Sequence, residues 1–178
     1  ITAILMLMVC FSQHTFAAEV EEPISAKTPE QIAALGLRGF YTNLQHNKDG
    51  SVRLVRLSKP HVTLDKLEHL EQFLKLDYLA IVCPHLGDEG LVHIQHLTNL
   101  DTLMLSESAV TDSGLSYLKK LNKLERLSLD NTKITDKGLA QIAHLQQLKV
   151  LSLKNTNVTD LGLQHLTGLK NLEVLFLS

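Results

Sequence analysis

Histidine is the residue that first suggests chemistry in this chain, which carries nine of them. His69, His93 and His165 recur at one position of a regular spacing, and His96 and His144 recur at another, three residues further on. Three imidazoles brought together in that way could bind zinc. No carboxylate or second cysteine in the sequence completes the set, however, so solvated histidines on an outer face are the expectation. Asp77, Asp101 and Glu125 are also evenly spaced, and stacked carboxylates are what calcium asks for. A solvated acidic rim is the plainer reading, and neither metal nor cofactor is expected. For catalysis, the chain lacks G-x-S-x-G, a phosphate loop, H-E-x-x-H and paired cysteines. Its Ser, His and Asp residues fall at outward positions with nothing placed to activate a nucleophile, so no catalytic residue and no enzyme activity are expected.

The even spacing has a common source. From Leu100, Leu124 and Leu148 the chain repeats a leucine, apolar residues three and five places on, then Val or Ile, Thr, Asp, any residue, Gly and Leu, with a period of 24. A fourth copy begins at Leu76 and a weaker fifth at Val52, and Leu172 to Ser178 opens a sixth. A period of 24 headed by L-x-x-L-x-L falls among leucine-rich repeats, in which each copy is a strand plus a helical return and cannot bury its own apolar face alone. Leu127 and Leu129 alternate with Arg126, Ser128 and Asp130, the period of a strand with one face buried. Leu139, Ile142 and Leu145 then recur every three residues, which predicts a helix. Thr135 is placed to cap it, as Thr63, Thr111 and Thr159 are in their copies, and Asp136 stands where the helix dipole favours a carboxylate. Gly90, Gly114, Gly138 and Gly162 follow two residues after the Asp slot and let the helical turn approach its neighbours, a rule that Lys66 breaks. Pro60, Pro84, Ser108, Thr132 and Thr156 fill the slot that often holds Asn or Cys. Hydroxyls there predict a polar ladder in the last three copies.

Val110-Thr111-Asp112-Ser113-Gly114-Leu115, Ile134-Thr135-Asp136-Lys137-Gly138-Leu139 and Val158-Thr159-Asp160-Leu161-Gly162-Leu163 closely resemble the VTDxGL leucine-rich repeats of bacterial exported proteins. They are similar, more distantly, to the cysteine-containing repeats of F-box substrate receptors, although Cys83 lies one residue before the matching slot. The resemblance covers about residues 28–178. It implies an α/β leucine-rich-repeat solenoid, curved, with parallel strands on the concave face and short helices on the convex face. It also implies a binder of other proteins, with no catalytic residues to carry over.

In chain order, residues 1–18 read as a secretory signal whose basic start is missing, since Ile1 to Phe11 is almost wholly apolar and Thr15-Phe16-Ala17 supplies small residues at alternate positions. A lipid-attachment box at Cys10 is disfavoured by the bulky Val9, and a membrane anchor by length. Residues 19–27 are acidic and contain Pro23, a flexible tether. Residues 28–51 form an N-terminal cap: Thr28-Pro29-Glu30-Gln31 opens a helix that Gly36 stops, and strand-like runs flank Asn47-Lys48-Asp49-Gly50. Residues 52–171 hold five repeats and 172–178 start a truncated sixth, which suggests that the natural protein continues. Cys83, alone once the signal is cut, is expected to be an apolar filler. A net charge of −2 gives no reason to expect nucleic acid or an anionic membrane as partner. The expected location is extracytoplasmic, with no insertion into a membrane after cleavage.

Outward positions of successive strands stack into columns. One reads Leu54, Tyr78, Thr102, Arg126, Val150, Val174; the next Arg56, Ala80, Met104, Ser128, Ser152, Phe176; the third Ser58, Val82, Ser106, Asp130, Lys154, Ser178. Aromatic residues, Met and Arg are enriched where proteins meet. A protein or peptide ligand is therefore expected on this face, at Tyr78, Met104, Arg126, Ser128, Asp130, Ser152, Lys154 and Phe176. As a solvated surface it would instead carry an Asp130 to Lys154 cross-strand ion pair. Two other readings remain open: the recognition arm of a larger protein whose effector lies beyond Ser178, and, more weakly, a cytoplasmic substrate-receptor adaptor.

Overall fold

The computed structural model describes residues 43–58 and 64–177. Among these, seven strands form one open sheet in sequence order: β1 (Asn43–His46), β2 (Val52–Leu57), β3 (Tyr78–Ile81), β4 (Thr102–Met104), β5 (Arg126–Ser128), β6 (Val150–Ser152) and β7 (Val174–Phe176). β1 and β2 are antiparallel, joined by a turn in which Gly50 takes a φ of +83° and donates to the Asn47 carbonyl at 3.0 Å. That turn is the Asp-Gly hairpin anticipated from the sequence. Every later pair is parallel, and the register advances by one repeat at each step, so Val55, Leu79, Leu103, Leu127, Leu151 and Leu175 lie side by side. The expected signal, tether, cap helix, Pro60 and Thr63 lie outside the described residues.

Parallel neighbours need a crossover, and here each crossover is a single short convex segment. The segments Asp88–Ile94 and Gly114–Lys120 are 3₁₀ helix, and Leu64–Leu67 (α1) passes into 3₁₀ over Glu68–Gln72. Only α2 (Asp136–Ile142) and the single turn α3 (Asp160–Leu163) otherwise adopt α geometry among the described residues. The short convex helices expected from the sequence are present, several of them in 3₁₀ form. Apolar residues every three positions, as in Leu115, Leu118 and Leu121, match the 3.0 residues per turn of a 3₁₀ helix, which stacks them along one line. In α2, Ala140 and Gln141 replace Ser116 and Tyr117, and their better helix propensity favours the α form. Leucines from strand and crossover meet in one continuous core, in which Leu103, Leu115, Leu118, Leu139 and Phe73 are fully buried.

The repeats are locked together by a ladder at the entrance to each crossover. The Asp88 carboxylate accepts the backbone N–H of Thr111 (2.7 Å) and its hydroxyl (2.6 Å). Asp112 does the same for Thr135, and Asp136 for Thr159. Each Thr Oγ1 in turn accepts the N–H two residues on, from Ser113, Lys137 and Leu161, at 3.3 Å. Thr135 and Thr159 are thereby the N-caps of α2 and α3, as expected. The glycines make room for this ladder: a Cβ on Gly138 would stand 2.5 Å from Asp112 Oδ1, and one on Gly114 or Gly162 would meet the Asp88 or Asp136 carboxylate. Where Leu64 and Gly87 replace the Asp and Thr, Gly90 faces the Leu86 and Leu67 side chains instead.

Candidate functional site

The concave face is built by the strand register. β3 to β7 align Tyr78, Thr102, Arg126, Val150 and Val174 in one row and Ala80, Met104, Ser128, Ser152 and Phe176 in the next, with Leu54 and Arg56 of β2 at their heads. Those are the first two columns read from the sequence. Alternation sends the intervening leucines to the core and leaves these side chains outward. The eight candidate residues therefore share one surface, but they do not stand at one height.

Short side chains form its floor. Ala80, Ser128 and Ser152 are each 8 % exposed and Thr102 3 %, shaded by longer neighbours on strands roughly 5 Å away. The serine hydroxyls are engaged: Ser128 Oγ lies 2.8 Å from Ser106 Oγ, and Ser152 Oγ donates to Asp130 Oδ1 at 2.6 Å. Above this floor rise Tyr78 and Met104, half-buried, and Arg126, Lys154 and Phe176, exposed. The Arg56 guanidinium lies over the Tyr78 ring at 5.1 Å, and the Lys154 ammonium over the Phe176 ring at 4.8 Å, arrangements in which the ring face attracts the cation.

The expected ion pair between Asp130 and Lys154 takes a different form. Asp130 Oδ1 accepts the Lys154 backbone N–H at 2.8 Å, while the ammonium goes to the Phe176 ring. A carboxylate can cap the strand's exit through a fixed N–H without ordering a long side chain, and the ring gives the cation an alternative seat.

The edge from which the strands start is not merely a solvated acidic rim. Arg53 Nε meets Asp77 at 2.7 Å and Lys149 meets Glu125 at 2.9 Å, while Asp101 accepts the Thr102 hydroxyl at 2.6 Å. Its partner Lys149 holds the Glu125 carboxyl below the usual carboxylate range, and Asp77 pushes the Arg53 guanidinium up. On the convex side, His93 Nδ1 lies 2.8 Å from Glu71, a contact the histidine spacing did not reveal, and His144 Nδ1 lies 2.9 Å from the Gln141 carbonyl. Among the described residues no group of three or more His, Cys, Asp or Glu is arranged to hold a metal ion. Cys83 is buried in the core.

At the opposite edge, where the strands end, Glu107, Asn131 and Asn155 take left-handed φ values of 58°, 55° and 53°. Ser108, Thr132 and Thr156 follow them and donate their hydroxyls to the carbonyls of Leu105, Leu129 and Leu153 at 2.7, 2.6 and 2.7 Å. The polar ladder predicted for these three copies is thus present, each hydroxyl closing its own repeat's turn. Asn155 Nδ2 also reaches Asn131 Oδ1 at 3.0 Å. Sequence reasoning missed the left-handed position, although two asparagines one period apart, the residue type that tolerates it best after glycine, were a usable signal.

The family described as Leucine Rich repeat matches residues 120–143. No curated protein matches the chain. Among solved structures, an internalin (inlF) from Listeria monocytogenes str. 4b F2365 is 21 % identical over 71 % of this chain, with a TM-score of 0.50. PEPR1 in its complex with AtPEP1 is 16 % identical over 82 % of this chain, with a TM-score of 0.51. TLR13 in its complex with ssRNA13 is 19 % identical over 70 %, with a TM-score of 0.47. This chain spans 41 % of the internalin, 24 % of PEPR1 and 22 % of TLR13. At such identities the likeness is one of fold. The fold is the leucine-rich-repeat solenoid, and one of its copies matches the leucine-rich-repeat family itself. Among the described residues no helix is long and apolar enough to cross a membrane.

Proposed function

We propose that this chain is an exported protein-interaction module of the VTDxGL kind, which binds a protein or peptide on its concave face and has no catalytic activity of its own. The observation that carries this reading is the relief of that face. Tyr78, Met104, Arg126, Lys154 and Phe176 stand above a closed floor of Ala80, Thr102, Ser128 and Ser152. Large aromatic, Met and Arg side chains over a flat, covered floor supply contact area of the kind enriched where proteins meet. Fold alone does not give function, and the proposal rests on these side chains. Export is supported by the apolar run at Ile1 to Phe11 and the small residues after it. Exclusion of nucleic acid rests on charge alone.

The test is a random peptide library displayed on phage and selected on the full chain. Peptides selected on the native chain should lose at least tenfold in affinity for a Tyr78→Ala/Arg126→Ala double variant whose melting temperature is unchanged. Equal affinity for the two chains would move the binding surface off the concave face.

A further inference from the structure

We propose that the array bends at one joint, between the copy that begins at Val52 and the copy that begins at Leu76, with β2 and β3 as the pivot and the convex side as the part that opens. This bend is independent of what the concave face binds. At the next three joints a carboxylate from Asp88, Asp112 or Asp136 holds both the N–H and the hydroxyl of a threonine one repeat on, at 2.6–2.8 Å. A charged acceptor shared by a backbone donor and a side-chain donor fixes distance and angle together. Those copies are therefore clasped in one mutual orientation.

At the first joint the same two slots hold Leu64 and Gly87, and neither side chain can make such a bond. Leu67 and Leu86 instead close around Gly90, in apolar contacts that are non-directional. The polar side-chain contacts that the described residues print across this joint run through long side chains at the surface. Arg53 Nε meets Asp77 at 2.7 Å with side chains 54 % and 28 % exposed, and His93 Nδ1 lies 2.8 Å from Glu71 with 20 % and 46 %. The Arg56 guanidinium over the Tyr78 ring is a third such contact. Exposed pairs of this kind stabilise little, and their rotamers can follow a moving backbone.

The sheet, by contrast, runs through the joint without interruption. β2 and β3 pair from Leu54 with Tyr78 to Leu57 with Ile81, and the Asp77 and Val82 N–H groups donate to the Arg53 and Leu57 carbonyls at 3.0 and 2.8 Å. Strands tied by backbone bonds, beside crossovers tied by apolar packing and surface pairs, make a hinge whose axis lies along the strands. Solenoid curvature is the sum of small rotations between repeats. Turning this one rotation changes the angle between Leu54 and Arg56 on one side of the concave face and Met104 and Arg126 on the other.

Spin labels read the motion. With Cys10 and Cys83 replaced by alanine, a label pair at Leu74→Cys/Asn122→Cys spans the first and second joints, and a pair at Thr98→Cys/Gln146→Cys spans the second and third. All four positions are exposed and share one register of the repeat. Double electron–electron resonance should give a distance distribution about twice as wide for the first pair as for the second. Leu64→Asp/Gly87→Thr supplies the missing clasp. Leu64 is 43 % exposed, Gly87 has the extended backbone of Thr135, and the atoms nearest to a Cβ at Gly87 belong to the exposed Glu89 carboxylate. This variant should narrow the first pair to the width of the second. Equal widths without the clasp would overturn the proposal, as would a first pair that stays wide in a clasped variant that melts no earlier. If the clasped variant fails to fold, Asp112→Ala decides, since loss of its bonds to Thr135 should widen the second pair. No widening there would show that the ladder does not set the angle and would overturn the bend.

Discussion

The Asp of each VTDxGL copy does more than sit at a helix start, because its two oxygens are given to the Thr of the next copy. Asp112→Ala should remove both bonds to Thr135 and leave that threonine's N–H without its charged acceptor. Hydrogen bonds to charged groups are worth about 1.5–3 kcal/mol each, and water can replace part of the loss at a half-buried site. A loss of about 2 kcal/mol in urea unfolding is the expected outcome. Asp136 adds a pH signature. The Thr159 backbone N–H and hydroxyl hold its carboxyl below the ordinary value of 3.8. A folded pKa below the unfolded one gives stabilisation that is complete above the unfolded value and is lost as pH falls through the folded one. Urea midpoints followed from neutral pH into acid should therefore drop below about pH 4, and Asp136→Asn should make that drop shallower.

Within a crossover, Asp and Gly explain each other across the repeat boundary. Gly138→Ala gains about 1 kcal/mol of helix propensity in α2, but its Cβ would stand 2.5 Å from the Asp112 carboxylate and 2.8 Å from Ile134 Cγ2. The carboxylate is pinned by Thr135, so the substitution should destabilise the native chain. In an Asp112→Ala background it should cost measurably less, and a double-mutant cycle in urea reads the coupling directly. The strands, their register and the N-caps at Thr135 and Thr159 could be read from the sequence because period and residue type are local signals. The Asp to Thr bond could not, since it joins residues 23 apart whose pairing is defined only once the copies are stacked. The 3₁₀ form of Gly114–Lys120 was hidden for another reason: a three-residue recurrence over two turns fits either helix. On the face, membership of the columns followed from the period, whereas the relief did not. Ser128 and Ser152 look as available as Arg126 in the sequence, and neighbouring bulk together with Ser106 and Asp130 is what withdraws them.

The molecule as a whole is a line of units, each touching its neighbours, so protection should vary along it. Leu103 and Leu127 are buried in the middle of the array, whereas Val174 and Phe176 of β7 are exposed and Leu175 half-buried. Hydrogen exchange followed by mass spectrometry should show the amides of β4 and β5 exchanging slowest and those of β7 fastest among the repeats. Leu127→Ala, which opens a cavity in the central copy, should cost about 2–5 kcal/mol and raise exchange in β4 and β6 as well as in β5. The ladder has one further property, its direction. Each copy from Asp88 to Asp136 hands its carboxylate forward to a threonine, and the copies of Asp112 and Asp136 also receive one from behind, so both halves of the joint are encoded in those two units. An in-frame duplication or deletion of one 24-residue block between Asp112 and Asp160 would regenerate every joint it cuts. Unequal crossing-over in the gene could thus lengthen or shorten the binding face without a repairing mutation, leaving its outward residues to diverge afterwards.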